Sequence, residues 1–260
     1  MPVAQPTSRI YHGSALSALY RGTDKLWEPE VVPFAPSDIA GLTVWLDAST
    51  LPVGALASWP DLSGLGHHGA MVATPLPTVR AAGLNGHNVV RFTVNEGRVR
   101  GNTGHLSGPG PAPGYNYSIV YVGRMVGPFY GRLFTGLYPT TNFLLGYHTS
   151  AEDCCYDGTA FILPGHGWST LPTPWRLWGM TGTHDGTTAV DKVYQDRVLV
   201  ATGSGGSGFQ EGYNLSGYDA TGIQETCDGE VAELLIYRRG ITDPERIAIE
   251  DYLRAKWALP

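Results

Sequence analysis

From Leu42 onward, short apolar or alternating runs recur between clusters of turn residues, the pattern of antiparallel strands in a two-layered sandwich. The clearest runs are Leu42 to Leu46, Val89 to Val94, Ser118 to Val122, Leu133 to Leu137, Phe143 to Tyr147, Trp175 to Thr181, Val193 to Val200 and Val231 to Tyr237. Glycine-rich connections separate them, notably Gly101 to Gly114 and Thr202 to Gly217. No self-repeat of about 20 to 50 residues is visible, which argues against a propeller or solenoid. One helix is well signalled, and it closes the chain. In Thr242-Asp243-Pro244-Glu245 the Thr242 hydroxyl can accept from a first-turn N–H, Glu245 can reach back, and Pro244 sits where no N–H is missed. Ile249, Tyr252, Leu253 and Trp257 follow at helical spacing, so one face is apolar and packs on the sandwich.

The first 35 residues have a different texture. Ile10, Tyr11, Leu16, Leu19, Tyr20, Leu26 and Trp27 flank turn-like spots at His12-Gly13-Ser14 and Arg21-Gly22-Thr23-Asp24, which reads as a small β meander. A piece of that size does not fold well alone and completes its core against a neighbour, either the main domain or another chain. The segment Glu28 to Pro36 contains three prolines and reads as a stiff, extended linker. Two parts are therefore expected: 1–35, an anchoring β segment with its linker, and 36–260, the sandwich.

Composition narrows the function. The 260 residues include 35 Gly and 19 Pro, about a fifth of the chain, with only 15% charged residues and 11% aromatics, which suits a β-rich body with weakly charged loops. With 17 basic against 23 acidic residues the net charge is −6, so binding of nucleic acid through phosphate neutralisation is disfavoured. No apolar run approaches the roughly 20 residues that cross a bilayer, and the opening MPVAQPTSRIYHG has no apolar core of an export signal. Three cysteines, the adjacent Cys154 and Cys155 and the distant Cys227, make neither a disulfide framework nor a metal knuckle. They read as reduced thiols, with one bridge through Cys227 left open.

Several segments carry a family resemblance. Gly41-Leu42-Thr43-Val44-Trp45-Leu46-Asp47-Ala48, then Trp59-Pro60-Asp61-Leu62-Ser63-Gly64 with Gly66-His67-His68, then Val89-Val90-Arg91-Phe92, resembles the opening of bacterial and phage laminin-G-like domains. Gly229 to Tyr237 and the capped helix to Trp257 look like their ending. The resemblance implies an all-β fold, a concanavalin A-like jelly roll of two antiparallel sheets with a C-terminal helix. A second, shorter resemblance lies in Arg9-Ile10-Tyr11-His12-Gly13-Ser14 and Leu19 to Trp27, which are similar to the leader of minor tail proteins of tailed phages. That implies a virion component assembled in the host cytoplasm, with Ile10, Tyr11, Leu19, Tyr20, Leu26 and Trp27 anchoring it to other virion proteins.

Sandwiches of the resembling family often bind sugars, a task that needs aromatic faces for stacking and Asp, Asn or His for hydroxyls. The candidates are Tyr147, His148, Asp153, Tyr156 and Asp157 in one loop cluster, Trp168 nearby, and Tyr213, Asn214 and Tyr218 in another. The plainer role for such Trp and Tyr residues is to fill the core. Calcium is a second ligand the residues admit, through Asp153, Asp157, Asp185, Asp219 and Asp228, although no EF-hand loop is present. Asp228 and Glu230 would share one face of a strand while Glu225 and Glu233 fall on the other, so the carboxylate spacing of related glucanases is not met and no enzyme is expected. His67 and His68 follow a turn and read as capping and packing residues, and no HExxH or GxSxG motif occurs. The expectation is a non-enzymatic tail or adhesion protein, oligomeric or arrayed, whose loops contact glycans of the host surface. The alternatives are a decoration protein that cements neighbours without binding sugar and, behind it, a glycoside hydrolase.

Overall fold

A computed structural model describes residues 7–12, 15–21, 23–27, 33–72, 74–94, 98–102, 116–127, 131–136, 142–149, 151–167, 170–184, 189–205, 212–218 and 225–260. The chain divides into two compact units, Met1–Phe34 and Ala35–Pro260. The first holds β1 (Thr7–His12), β2 (Ala15–Arg21) and β3 (Asp24–Trp27) in an antiparallel three-stranded sheet of order β1-β2-β3. Ile10 pairs with Ala18, and Leu19 lies opposite both Arg9 and Trp27, so the expected anchor residues fall on all three strands.

The second unit opens with β4 (Leu42–Asp47), β5 (Gly54–Ala55), β6 (Ser58–Trp59), β7 (Gly69–Val72), β8 (Thr78–Leu84), β9 (His87–Phe92) and β10 (Arg98–Asn102). It continues through β11 (Tyr117–Met125), β12 (Phe134–Gly136), β13 (Leu144–His148), β14 (Ala151–Tyr156) and β15 (Phe161–Gly167). Then come β16 (Arg176–His184), β17 (Ala189–Gln195), β18 (Val198–Gly203), β19 (Gly212–Leu215), β20 (Gly229–Tyr237) and the helix α1 (Asp243–Trp257). One sheet has eight strands in the order β15-β14-β13-β12-β19-β10-β7-β6. The other has nine strands, in the order β18-β17-β16-β11-β20-β9-β8-β5 with β4 also paired to β20. The pairings are antiparallel and the sequence order is widely permuted, which is the concanavalin A-like jelly roll.

Between the sheets lies one aromatic core. Trp59, Phe92, Tyr117, Tyr121, Phe134, Phe143, Tyr147 and Trp178 are all fully buried. Tyr121 stacks on Phe134 with centroids 5.6 Å apart, and Phe143 meets both Phe134 and Tyr117 edge-on. Burying a large apolar side chain contributes roughly 1.5–3 kcal/mol, so this layer supplies the main driving force for assembly of the two sheets. Gly146, at φ +103°, is required at its position because a side chain there would run into the Tyr121 hydroxyl and the Trp178 ring.

The Trp59 to His68 motif is a turn built around one carboxylate. Asp61 Oδ1 accepts from the backbone N–H groups of Trp45 and Ser63, and Oδ2 accepts from the His67 N–H and the Ser63 hydroxyl. The Asp61 N–H in turn donates to His68 Nδ1 at 2.9 Å. Burial pushes this carboxyl upward, but the Ser63, Trp45 and His67 bonds outweigh it and hold the group below the ordinary carboxylate value. The histidine pair is thus part of the turn.

Helix α1 lies on the outer face of the nine-stranded sheet, with Ile249, Leu253 and Trp257 buried. Glu245 accepts from the Thr242 N–H at 2.8 Å and from its hydroxyl at 2.9 Å, while Arg239 clamps the same carboxylate and helps hold it at about 2. Under the helix, the fully buried Glu233 carboxylate accepts from Trp45 Nε1 (2.7 Å), Trp257 Nε1 (2.7 Å), Tyr252 Oη (3.0 Å) and Lys256 Nζ (2.8 Å). Lys256 also reaches Asp47 at 2.6 Å.

The strand pattern departs from the sequence reading in three places. Val193 to Val200 is two strands, broken by Asp196 and Arg197 at φ +47° and +76°. The stretch Thr202 to Gly217, expected as a connection, contains β19 in the middle of a sheet. The segment 151–167, expected as loops, is the hairpin β14–β15.

Candidate functional site

The hairpin β14–β15 begins from its turn. Asp157 is buried, and its Oδ1 accepts the backbone N–H groups of Thr159 and Ala160, both at 2.8 Å, while Gly158 takes φ +94°. Asp157 is therefore a turn former, not a sugar ligand. Alternation along the paired strands then sorts the neighbours. Leu145, Tyr147, Cys155 and Leu163 point to the core. Tyr156 and Phe161, which sit opposite each other, point away from it, and so does His148.

The outward side chains form a continuous patch. The Tyr156 and Phe161 rings lie 5.1 Å apart at 60°, and the Phe161 and His148 rings 5.7 Å apart at 35°. Phe161 is 45% exposed, the most exposed aromatic of the buried-to-exposed series around it. His148 Nε2 is 3.9 Å from Glu225 Oε2, and Glu225 forms an ion pair with Arg132 Nε. The Arg132 guanidinium stacks over the Tyr218 ring at 4.1 Å and donates from Nη1 to Asn142 Oδ1 at 2.6 Å. Burial and the Arg132 charge hold the His148 imidazole below the ordinary histidine value, with Glu225 acting the other way. At neutral pH the patch thus presents an uncharged imidazole beside two rings, flanked by a compensated Arg–Glu pair. Exposed ring faces next to fixed polar groups can stack on an apolar sugar face and bond to its hydroxyls.

Of the sequence-predicted residues, His148, Tyr156 and Tyr218 meet on this patch. Tyr147, Tyr213 and Asn214 do not: all three are fully buried, and they serve the core. Tyr147 packs edge-on against Trp178, Tyr213 reaches the His67 carbonyl at 3.4 Å, and Asn214 donates to the Gly136 carbonyl at 3.2 Å. Asp153 turns to the sandwich edge, where it meets His166 and Gln195. Trp168 lies outside the described residues. Phe161, Arg132, Glu225 and Asn142 were not among the predicted sugar ligands. The signal for Phe161 was present, because Asp157-Gly158 between two apolar runs is a hairpin turn.

The remaining candidate chemistry is committed elsewhere. Asp228 pairs with Arg91, while the buried Glu230 is held by Arg80, Arg91 and Arg124. Among the described residues no three His, Cys, Asp or Glu side chains converge as a metal set. Asp185 and Asp219, named with the calcium candidates, lie outside the described residues. Cys154, Cys155 and Cys227 are free and buried, with burial pushing the thiols of Cys154 and Cys227 up to about 11 and about 12. Among the described residues no helix is long and apolar enough to cross a membrane.

No family model and no curated protein matches the sequence. Solved structures do resemble the fold. The binding domain of botulinum neurotoxin DC, solved in complex with SialylT, aligns at 11% identity and TM-score 0.54 over 84% of this chain and 52% of that one. The binding domain of Paraclostridial Mosquitocidal Protein 1 aligns at 12% identity and TM-score 0.54, over 85% and 53%. Domain 4 of an extracellular arabinanase from Geobacillus stearothermophilus, in complex with arabinotriose, aligns at 14% identity and TM-score 0.50, over 80% and 97%. The chain spans about half the length of the toxin binding domains. At these identities the likeness is one of fold.

Proposed function

We propose that this chain is a non-enzymatic component of a tailed-phage virion, a minor tail or adhesion protein, whose jelly roll binds glycans of the host surface through the patch of His148, Tyr156, Phe161, Tyr218 and Arg132. The observation that carries the glycan reading is the partly exposed ring set beside a fixed Arg–Glu pair on the outward face of the eight-stranded sheet. The sugars named with the similar structures, SialylT on a toxin binding domain and arabinotriose on an arabinanase domain, agree with a saccharide as ligand for this architecture. The virion reading rests on the resemblance of residues 9–27 to phage tail leaders, with β1 to β3 as the attaching unit. The absence of chemistry is supported by Asp228 and Glu230, which arginines occupy, and by Glu233, which the helix covers. A bound calcium is not part of the proposal.

Single shallow sites bind sugars weakly, so adhesion would come from many copies through effective concentration. A glycan array probed with the purified chain tests the ligand. Specific capture by bacterial surface polysaccharides is expected, and no capture on any array favours a cementing role instead. Deleting residues 1–35 is expected to remove the protein from particles; continued incorporation refutes the anchor.

A further inference from the structure

Where the two sheets end side by side, a cleft of about 210 Å³ opens between the edge strands β15 and β18. Its polar lining is Asp153, His166 and Gln195, and its apolar lining Leu163, Pro164 and Val200. This surface is separate from the aromatic patch, and the glycan reading of that patch does not use it.

The cleft is built around a bulge. Along β14, Glu152 pairs with Tyr147 and Cys154 pairs with Gly146, which leaves Asp153 between them without a partner on β13. Its φ is +59°, a conformation unfavourable to a non-glycine residue, and it turns the carboxylate toward the opposite sheet. There Oδ1 accepts from Gln195 Nε2 at 2.5 Å and Oδ2 from His166 Nε2 at 3.1 Å. Gly165, at φ +77°, lets β15 approach closely enough for this contact, since a side chain there would strike Cys154 Sγ.

The hydrogen-bond partners favour the charged form of the imidazole. His166 Nδ1 lies 3.0 Å from the Gly167 carbonyl, and Nε2 faces a carboxylate. Both partners only accept, so these contacts favour the doubly protonated ring over either neutral tautomer. Glu152, 3.8 Å from Nδ1, adds to this, and the bond to Gly167 together with these acids raises the ring above the ordinary histidine value. Arg176 and Asp196, the other charged pair described at this end, bond to each other at 2.9 Å. The Asp153 carboxylate is thus held on both sides while each oxygen keeps a lone pair.

We propose that this cleft is a second saccharide subsite that takes one neutral sugar ring, whose adjacent hydroxyls donate to the Asp153 carboxylate and whose apolar face rests on Leu163, Pro164 and Val200. The open lone pairs of the carboxylate call for paired hydroxyl donors and repel an anion, the apolar lining suits a ring face, and the volume limits the ligand to one ring. His166 is a positioning residue. Its deprotonation breaks one of the two bonds that orient it, so affinity should fall as pH rises through the titration of this ring.

The test is a titration of the full chain with free glucose, galactose, N-acetylglucosamine and arabinose, followed by NMR at the imidazole C–H signals of His166. Saturable movement of these signals by at least one sugar is expected. Asp153→Asn should weaken that sugar about tenfold or more, Gln195→Ala should weaken it severalfold, and the affinity should decline with rising pH. If Asp153→Asn does not fold, Gln195→Ala decides. No movement with any of the four sugars, or unchanged affinity in the decisive variant, overturns the proposal. Array capture reports on the aromatic patch and this titration on the cleft, so either reading can fall while the other stands.

Discussion

Each sheet of the jelly roll turns one face outward, and the two faces use the same residue types to opposite ends. On the nine-stranded sheet, an acid, a lysine, a tyrosine and two tryptophans converge under a helix, and the Glu233 carboxylate receives four donors in a fully buried setting. On the eight-stranded sheet and its flanking connections, an acid, a histidine and three aromatic rings line up partly exposed around a buried arginine. Convergence on one buried acid makes a lock, because removal of a member leaves a buried group without its partner. Spreading the same chemistry over an outward face leaves part of the Phe161 and Tyr156 rings exposed.

If that contrast holds, substitutions on the two faces should separate stability from binding. The largest effect is expected from Glu233→Ala, which strands two indole N–H groups, a phenol and an ammonium; a loss of about 3–5 kcal/mol in chemical denaturation follows from breaking a buried charged network. Phe161→Ala on the open face should change stability by less than about 0.5 kcal/mol, as for surface positions generally, yet cut glycan affinity by roughly tenfold, about the value of one lost aromatic contact. Thr242→Ala should cost about 1 kcal/mol through loss of the helix cap, read as a lowered denaturation midpoint without change in binding.

The smallest effect is a pH dependence. Asp61 and Glu245 both have folded-state values depressed below their ordinary ones, so their contribution is complete above the ordinary carboxylate range and is lost as pH falls through the depressed values. The denaturation midpoint should be flat near neutrality and decline below about pH 4, and Asp61→Asn should make that acid limb shallower. An unchanged acid limb in this variant would remove Asp61 from the account.

The fold was legible where the pattern was local. The capping box at Thr242 and the apolar positions Ile249, Leu253 and Trp257 specified a helix and its buried face, and alternation located most strands. The site was less legible for two physical reasons. First, a side chain's exposure depends on which strand lies beside it, so Tyr147 and Tyr213, chosen for residue type, proved to be core residues. Second, the patch is assembled across distant segments: Arg132, Glu225 and His148 meet only because β12 and β13 are neighbours and Arg132 N–H donates to the Glu225 carbonyl at 2.9 Å. The β14–β15 hairpin was missed because its strands carry Pro164, Gly165 and Gly167, which read as loop residues although this is an edge strand, where proline is tolerated.

The account stands or falls on whether the outward aromatic face recognises sugar. Equilibrium binding of the wild-type chain and Phe161→Ala to the best-captured array polysaccharide, with reducing ends assayed in the same samples, addresses this directly. The expected result is saturable binding by the wild type, about tenfold weaker binding by a variant of unchanged melting temperature, and intact polysaccharide in both. Equal affinity of the two proteins, or release of new reducing ends, would contradict it.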